Sequence, residues 1–135
     1  MLGLLDTVGA HLQRVGLAGA GSGWWLAKGL MPPHPDRVVA LFEYAGQPPS
    51  ARAHLDRPGL QVRVRGRRMD DGGNEYSEAR ATIENIYLTL HAQAESDVGD
   101  DRIMSLVAVQ SPFPLGLDAN NRLEFAVNFI CLTQR

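Results

Sequence analysis

The stretch Leu60–Arg68, LQVRVRGRR, sets apolar Leu60, Val62 and Val64 against Gln61, Arg63, Arg65 and Arg67. Strand side chains alternate between two faces, so a period of two predicts a strand with one buried face and one polar face. That fixes the fold problem: the buried row needs a cover, and the arginine row needs partners or water.

The cover is found on either side. Downstream, MDDGGNEYSEAR turns the chain; Asn74 is placed as an N-cap, with Glu75 and Glu78 in the first turn, where negative charge suits the helix dipole. Tyr76, Ala79, Ile83, Ile86, Tyr87 and Leu90 then mark one side of a helix expected to run to about Gln93. Upstream, Leu2, Leu5, Leu12 and Val15 recur at helical spacing and predict a first helix ending near Gly16.

Further strands follow from composition. RVVALFEY, Arg37–Tyr44, is rich in β-branched and aromatic residues. Trp24, Trp25 and Leu26 form a short strand before MPPHPD, whose prolines remove donors and forbid helix. RIMSLVAVQ reads as a buried central strand, and RLEFAVNFICLTQ closes the chain with Leu123, Phe125, Val127, Phe129 and Cys131 facing inward. Ala45–Gly59 has little apolar content beyond Leu55 and is expected to be a long loop; SPFPLGLDANNR reads as a punctuated connection.

The order is helix, two or three strands, helix, two strands. It predicts one α+β domain over residues 1–135: a largely antiparallel or mixed sheet of four to five strands, with two main helices on one face.

Composition narrows the function. A formal net charge of −2 lacks the excess of basic residues typical of a nucleic-acid binder. Lys28 is the only lysine, and arginine's planar fork suits protein interfaces as well as phosphates, although a GC-rich genome gives the same bias. Cys131 is the sole cysteine, so an internal disulfide is excluded and a reducing compartment is expected. MLGLLDTVGA carries Asp6 in its apolar stretch and does not read as a secretory signal; no run of about eighteen apolar residues is present to cross a bilayer, and a soluble protein is expected.

No catalytic constellation emerges. Gly19, Gly21 and Gly23 follow a helix and miss phosphate-loop spacing. Of the four histidines only His91 has a ligand-type neighbour at i+4, Glu95, and two ligands fall short of a zinc site. Cys131 reads as a core residue, and the pairs Asp70-Asp71 and Asp100-Asp101 as solvated turns. No metal or cofactor is expected.

Three readings of the arginine row stay open. It could track phosphates, face water, or pair with carboxylates at Asp70, Asp71, Glu75 or the acidic Glu95–Asp101 loop, within one copy or between copies.

The ordered segments LLDTVGAHLQRVGL, MPPHPDRVVALFEYAGQPP, RPGLQVRVRGRR, YSEARATIENIYLTL and SPFPLGLDANNRLEFAVNFICLTQR resemble the minor capsid and tail terminator family of long-tailed bacteriophages, from about Leu4 to Arg135. The resemblance implies a non-enzymatic structural protein at the tail–head junction of the virion, assembled in the host cytoplasm. Such proteins cap the finished tail tube, stop its polymerisation and present a surface to the filled head. They act as hexameric rings, so the implied partners are copies of itself, the tail tube protein and a head connector, with DNA passing through the lumen unbound.

Interface residues expected on this basis are Arg63, Arg65 and Arg67, on a face that either joins copies or approaches the lumen, with Asp97, Asp100 and Asp101 of the acidic loop as its partner. Gln47, Arg52 and Arg57 mark a loop expected to be mobile in free subunits and ordered on assembly. The alternatives are a head-closure component and, in a different class, a small nucleic-acid-binding domain.

Overall fold

The structure, a computed structural model, describes residues 3–71, 74–94 and 103–134. It confirms α+β architecture. Helix α1 (Leu4–Arg14) is followed by strands β1 (Trp25–Lys28), β2 (Val38–Ser50) and β3 (Leu55–Arg68), and helix α2 (Glu75–Leu90) by β4 (Gln93–Ala94), β5 (Ile103–Ala108), β6 (Phe113–Leu117) and β7 (Arg122–Gln134).

These strands form one mixed sheet, seven-stranded among the described residues, in the order β1-β2-β3-β7-β5-β4. Only β1 and β2 run parallel; β6 pairs with the N-terminal half of β7, end to end with β5. The count exceeds the expected four to five because β4 is two residues long and β6 hides in SPFPLGLDANNR, where Pro114 and Gly116 mask its strand character.

Both helices cover the same face. Val8 and Leu12 of α1 and Ala79, Ile83, Ile86 and Leu90 of α2 join Leu60, Val62, Val64, Phe125, Val127 and Phe129 in one buried core. Gly66 permits the close approach of α2: a Cβ there would lie 2.9 Å from Glu75 Oε2 and 3.4 Å from the Ala79 Cβ. Asn74 occupies the N-cap position as expected, but its side chain makes no capping bond. The helix stops at Leu90, short of the expected Gln93, which instead begins β4.

Two expectations are corrected. Ala45–Gly59 is no structureless loop: β2 and β3 continue as a hairpin through Gln47↔Arg57 and Ser50↔Leu55, turning at residues 51–54. Cross-strand backbone bonding beside β7 needs no apolar side chains, so low apolar content misled. β5 is not a buried central strand, since Met104 and Val107 are exposed; the long β7, flanked by β3, β5 and β6, holds the centre.

On the face without helices, Tyr44 lies flat across Gly59 and its hydroxyl donates to the Phe129 carbonyl at 3.1 Å. A Cβ on Gly59 would meet the Tyr44 ring at 2.3 Å. Gly59→Val is therefore expected to displace the ring and cost about 1 to 3 kcal/mol in denaturant unfolding, whereas Tyr44→Phe loses about 1 kcal/mol with its single hydrogen bond.

Candidate functional site

The arginine row divides into three environments. Arg65 is 2% exposed and turned onto its own chain. Its Nε donates to the Asp36 carbonyl at 2.9 Å and its Nη2 to the Pro35 carbonyl at 2.7 Å. Arg122, on β7, joins it: Nη1 donates to the Pro33 carbonyl at 2.8 Å and to Asp36 Oδ1 at 3.1 Å, and Nε to Asp118 Oδ2 at 2.8 Å.

The reason lies in MPPHPD. Prolines lack N–H groups and break regular pairing, so their carbonyls require donors from elsewhere. Two planar guanidinium groups supply them from the sheet, a role that lysine's single ammonium would fill poorly.

Burial is the main influence lowering the Arg65 pKa, with Arg122 adding to it, while Asp118, Glu124 and Asp36 act in the opposite direction. Burial also opposes ionisation of Asp118, but N–H donation from Arg122 and Asn120 and the Arg122 side chain outweigh it and hold its pKa down.

Arg63 is half-buried on the same face. Its guanidinium lies 5.1 Å from the Phe42 ring centroid and donates to Gln61 Oε1 at 2.8 Å; Gln61 in turn donates to Asn128 Oδ1 at 2.9 Å.

Arg67 differs again. A register shift between Arg65 and Arg68 breaks the alternation, and Arg67 lines a groove of about 750 Å³ beside Trp24, Trp25, Lys28, Asp36 and Arg37. The groove follows the β1 edge and the glycine-rich segment, including Gly19, Gly21 and Gly23. Arg37 stacks 4.9 Å over Trp24 and pairs with Glu75. Glu75 also accepts the Arg67 backbone N–H at 2.7 Å, so one buried carboxylate ties the start of β2, the end of β3 and the start of α2 together. Burial opposes its ionisation, yet the hydrogen bonds from Arg37 and Arg67 prevail and keep its pKa below the ordinary value.

The other expected interface residues lie apart. Gln47 and Arg52 are exposed on the hairpin, and Arg57 Nη1 donates to the Pro48 carbonyl at 3.2 Å. Asp97, Asp100 and Asp101 lie outside the described residues.

The picture of Arg63, Arg65 and Arg67 as one outward row is thus corrected: Arg65 is internal because the proline-rich segment folds over it. Glu75 was among the carboxylates considered as partners; Arg37, Arg122 and Trp25 were missed. Carbonyl-rich, donor-poor MPPHPD was the signal that arginines elsewhere must serve it.

Burial pushes the Cys131 thiol up to about 12, away from nucleophilic use. His91 Nδ1 accepts the Ala108 N–H at 3.0 Å. Among the described residues no three of His, Cys, Asp or Glu are grouped to hold a metal ion, and no helix is long and apolar enough to cross a membrane.

Arg122→Ala removes a buried guanidinium with its bonds to the partly exposed Asp118 and Asp36 carboxylates and to the Pro33 carbonyl and is expected to cost about 1 to 3 kcal/mol; Arg67→Ala should stay within about 0.5 kcal/mol. Chemical denaturation measures both. Because the Glu75 and Asp118 pKa values are lowered in the folded chain, their contribution is complete above the unfolded carboxylate range and disappears as pH falls through the lower folded values. Stability should therefore decline on acidification below about pH 4.5, and Glu75→Gln should flatten part of that decline in a pH series of unfolding midpoints.

No individual curated protein matches the chain. The family model described as bacteriophage tail terminator protein matches residues 11–135, a span taking in the buried arginines, the edge groove, α2 and the entire sheet. With a match over nearly its whole length, the chain belongs to the bacteriophage tail terminator protein family.

Proposed function

We propose that this protein caps the head-proximal end of the phage tail tube, ends its polymerisation and offers the surface on which the filled head docks. The observation that carries the reading is the family match over residues 11–135. Supporting it is a one-sided architecture: helices cover one face of the sheet, leaving the opposite face and the sheet edges for contact.

The working form is a ring of identical copies, six in number, through whose lumen DNA passes without specific binding. A closed ring needs two unlike complementary surfaces on each copy, because a head-to-tail contact repeats around the axis. The β2–β3 hairpin supplies a third surface. Residues 43–49 are exposed beyond the part of β2 paired with β1, and Pro48-Pro49 removes two N–H donors from this stretch, which discourages indiscriminate strand addition. The Gln47–Arg57 hairpin therefore docks through side chains, against the tube or a neighbour.

The test is genetic and visual. A phage lacking this protein should build tails of irregular, excessive length that fail to join heads, and purified protein added to tubes should appear as a density at one end in electron micrographs. Tails of normal length in its absence, or protein bound along the tube wall instead of at an end, would contradict the assignment.

A further inference from the structure

We infer that copies join edge to edge: β1 of one copy takes β6 of the next as an added antiparallel strand, so that the sheet continues from subunit to subunit around the ring. The inference rests on the ring reading and names its contact.

β1 and β6 are the two open ends of one row. Trp25 is in register with Val38, Val38 with Arg65, Arg65 with Glu124 and Glu124 with Gly116, so the row runs through β1, β2, β3, β7 and β6. Among the described residues no strand pairs with the outer side of either end strand.

Backbone alternation fixes which groups face out. The Trp25 N–H donates to the Arg37 carbonyl at 3.0 Å and the Gly29 N–H to the Leu41 carbonyl at 2.7 Å. Trp25, Ala27 and Gly29 are therefore turned to β2, and Leu26 and Lys28 direct their N–H and C=O groups away from the sheet. The Asp118 N–H donates to the Arg122 carbonyl at 2.9 Å, which turns Leu117, one residue earlier, outward in the same way. Ahead of β1 the edge is closed, because the Trp24 carbonyl accepts the Gly19 N–H at 2.8 Å.

An unpaired edge is a template for another strand, and these two match each other. β1 is parallel to β2, and each later step through β3, β7 and β6 is antiparallel, so β1 and β6 run in opposite directions. Copies side by side in one orientation bring them together antiparallel, with Leu26 opposite Leu117 and each donating its N–H to the other's carbonyl. Traced to β7, Leu26 lies on the row of Phe125 and Leu117 on the row of Leu123. That stagger is about 7 Å, and strand tilt absorbs it when a sheet closes on itself.

Side chains match as well. Trp25 is 58% exposed on one edge and Leu117 56% exposed on the other, with Leu115 exposed beside it. Large apolar side chains gathered at an edge mark an interaction surface. Trp25 and Gly116 share a row and hence a face, and a Cβ on Gly116 would meet nothing within 4 Å. In the joint the indole of one copy lies within diagonal reach of Gly116 of the next and covers it, as Tyr44 covers Gly59 within one chain. Both edges are short, and Pro114 removes a donor from β6, which keeps free copies from pairing indiscriminately. Because the edges are unlike, the contact is head to tail, the kind that closes into a ring when the rotation between copies allows it.

The purified full-length chain tests the joint, with mass read by sedimentation velocity and folding checked by thermal unfolding. Trp25→Lys on β1 and Leu117→Lys on β6, both at exposed positions, should each shift ring mass to monomer mass while the chain stays folded. Mixed in equal amounts, the two variants should form heterodimers and nothing larger, since one intact β1 and one intact β6 remain. Amide hydrogen exchange reads the backbone pairing directly and needs no variant. The Leu26 and Leu117 N–H groups should be protected in the wild-type ring and exchange freely in monomers obtained by dilution.

Rings that tolerate both lysines, or exchange at Leu26 and Leu117 that is equally fast in ring and monomer, would overturn the inference and leave the ring reading standing. Loss of the ring with only one of the two variants, or a mixture that stays monomeric, would overturn it too. Should a lysine variant fail to fold, the exchange measurement on the wild-type ring decides alone. A wild-type chain that never assembles, alone or on tube ends, would overturn the inference and the ring together.

Discussion

The structure depends on satisfying the carbonyls of a proline-rich segment. Pro33, Pro35 and Asp36 direct backbone oxygens at the sheet, and Arg65 and Arg122 answer them from adjacent strands. Two like charges placed together would repel, but Asp36 and Asp118 bond to Arg122, and Glu124, paired in register with Arg65, adds its field through space. The result fixes the start of β2. Arg37, the next residue, can then reach both Trp24 and Glu75, so the position of β1 and the N-terminus of α2 follow from the same anchorage.

This anchorage also explains the unequal faces. Helices seal one side of the sheet with apolar side chains, whereas the other is held by guanidinium groups, a tyrosine laid over glycine and a short amide chain through Gln61 and Asn128. A face organised by hydrogen bonds keeps its shape without a second layer.

The fold was largely legible because its signals are periodic. Alternation in Leu60–Arg65 and Leu123–Cys131 and helical spacing from Tyr76 to Leu90 depend on local geometry, which tertiary context merely completes. The failures occurred where the period said nothing. Residues 45–59 form a hairpin through backbone pairing, and backbone groups are identical in every sequence; β6 is disguised by proline and glycine. The candidate site was less legible for a related reason: the sequence shows that Arg63, Arg65 and Arg67 alternate, but not that a segment thirty residues earlier folds over one of them while a register shift turns another toward the edge. Such divisions are decided by contacts between distant parts of the chain.

That division of labour among three arginines bears on the charge the chain presents at its surface. If the whole row had faced outward, the free chain would have carried a uniform basic strip, attractive to DNA or any acidic surface in the cell. Burying Arg65 against its own carbonyls and seating Arg63 over Phe42 leaves Arg67 as the member of the row lining the groove. There it stands with Lys28 and Arg37, of which Lys28 pairs with Asp6 and Arg37 with Glu75, and its own charge helps hold the Glu75 pKa down. The positive charge of the row is thereby tied to the chain's own carbonyls, aromatic ring and carboxylate instead of lying as one strip at the surface.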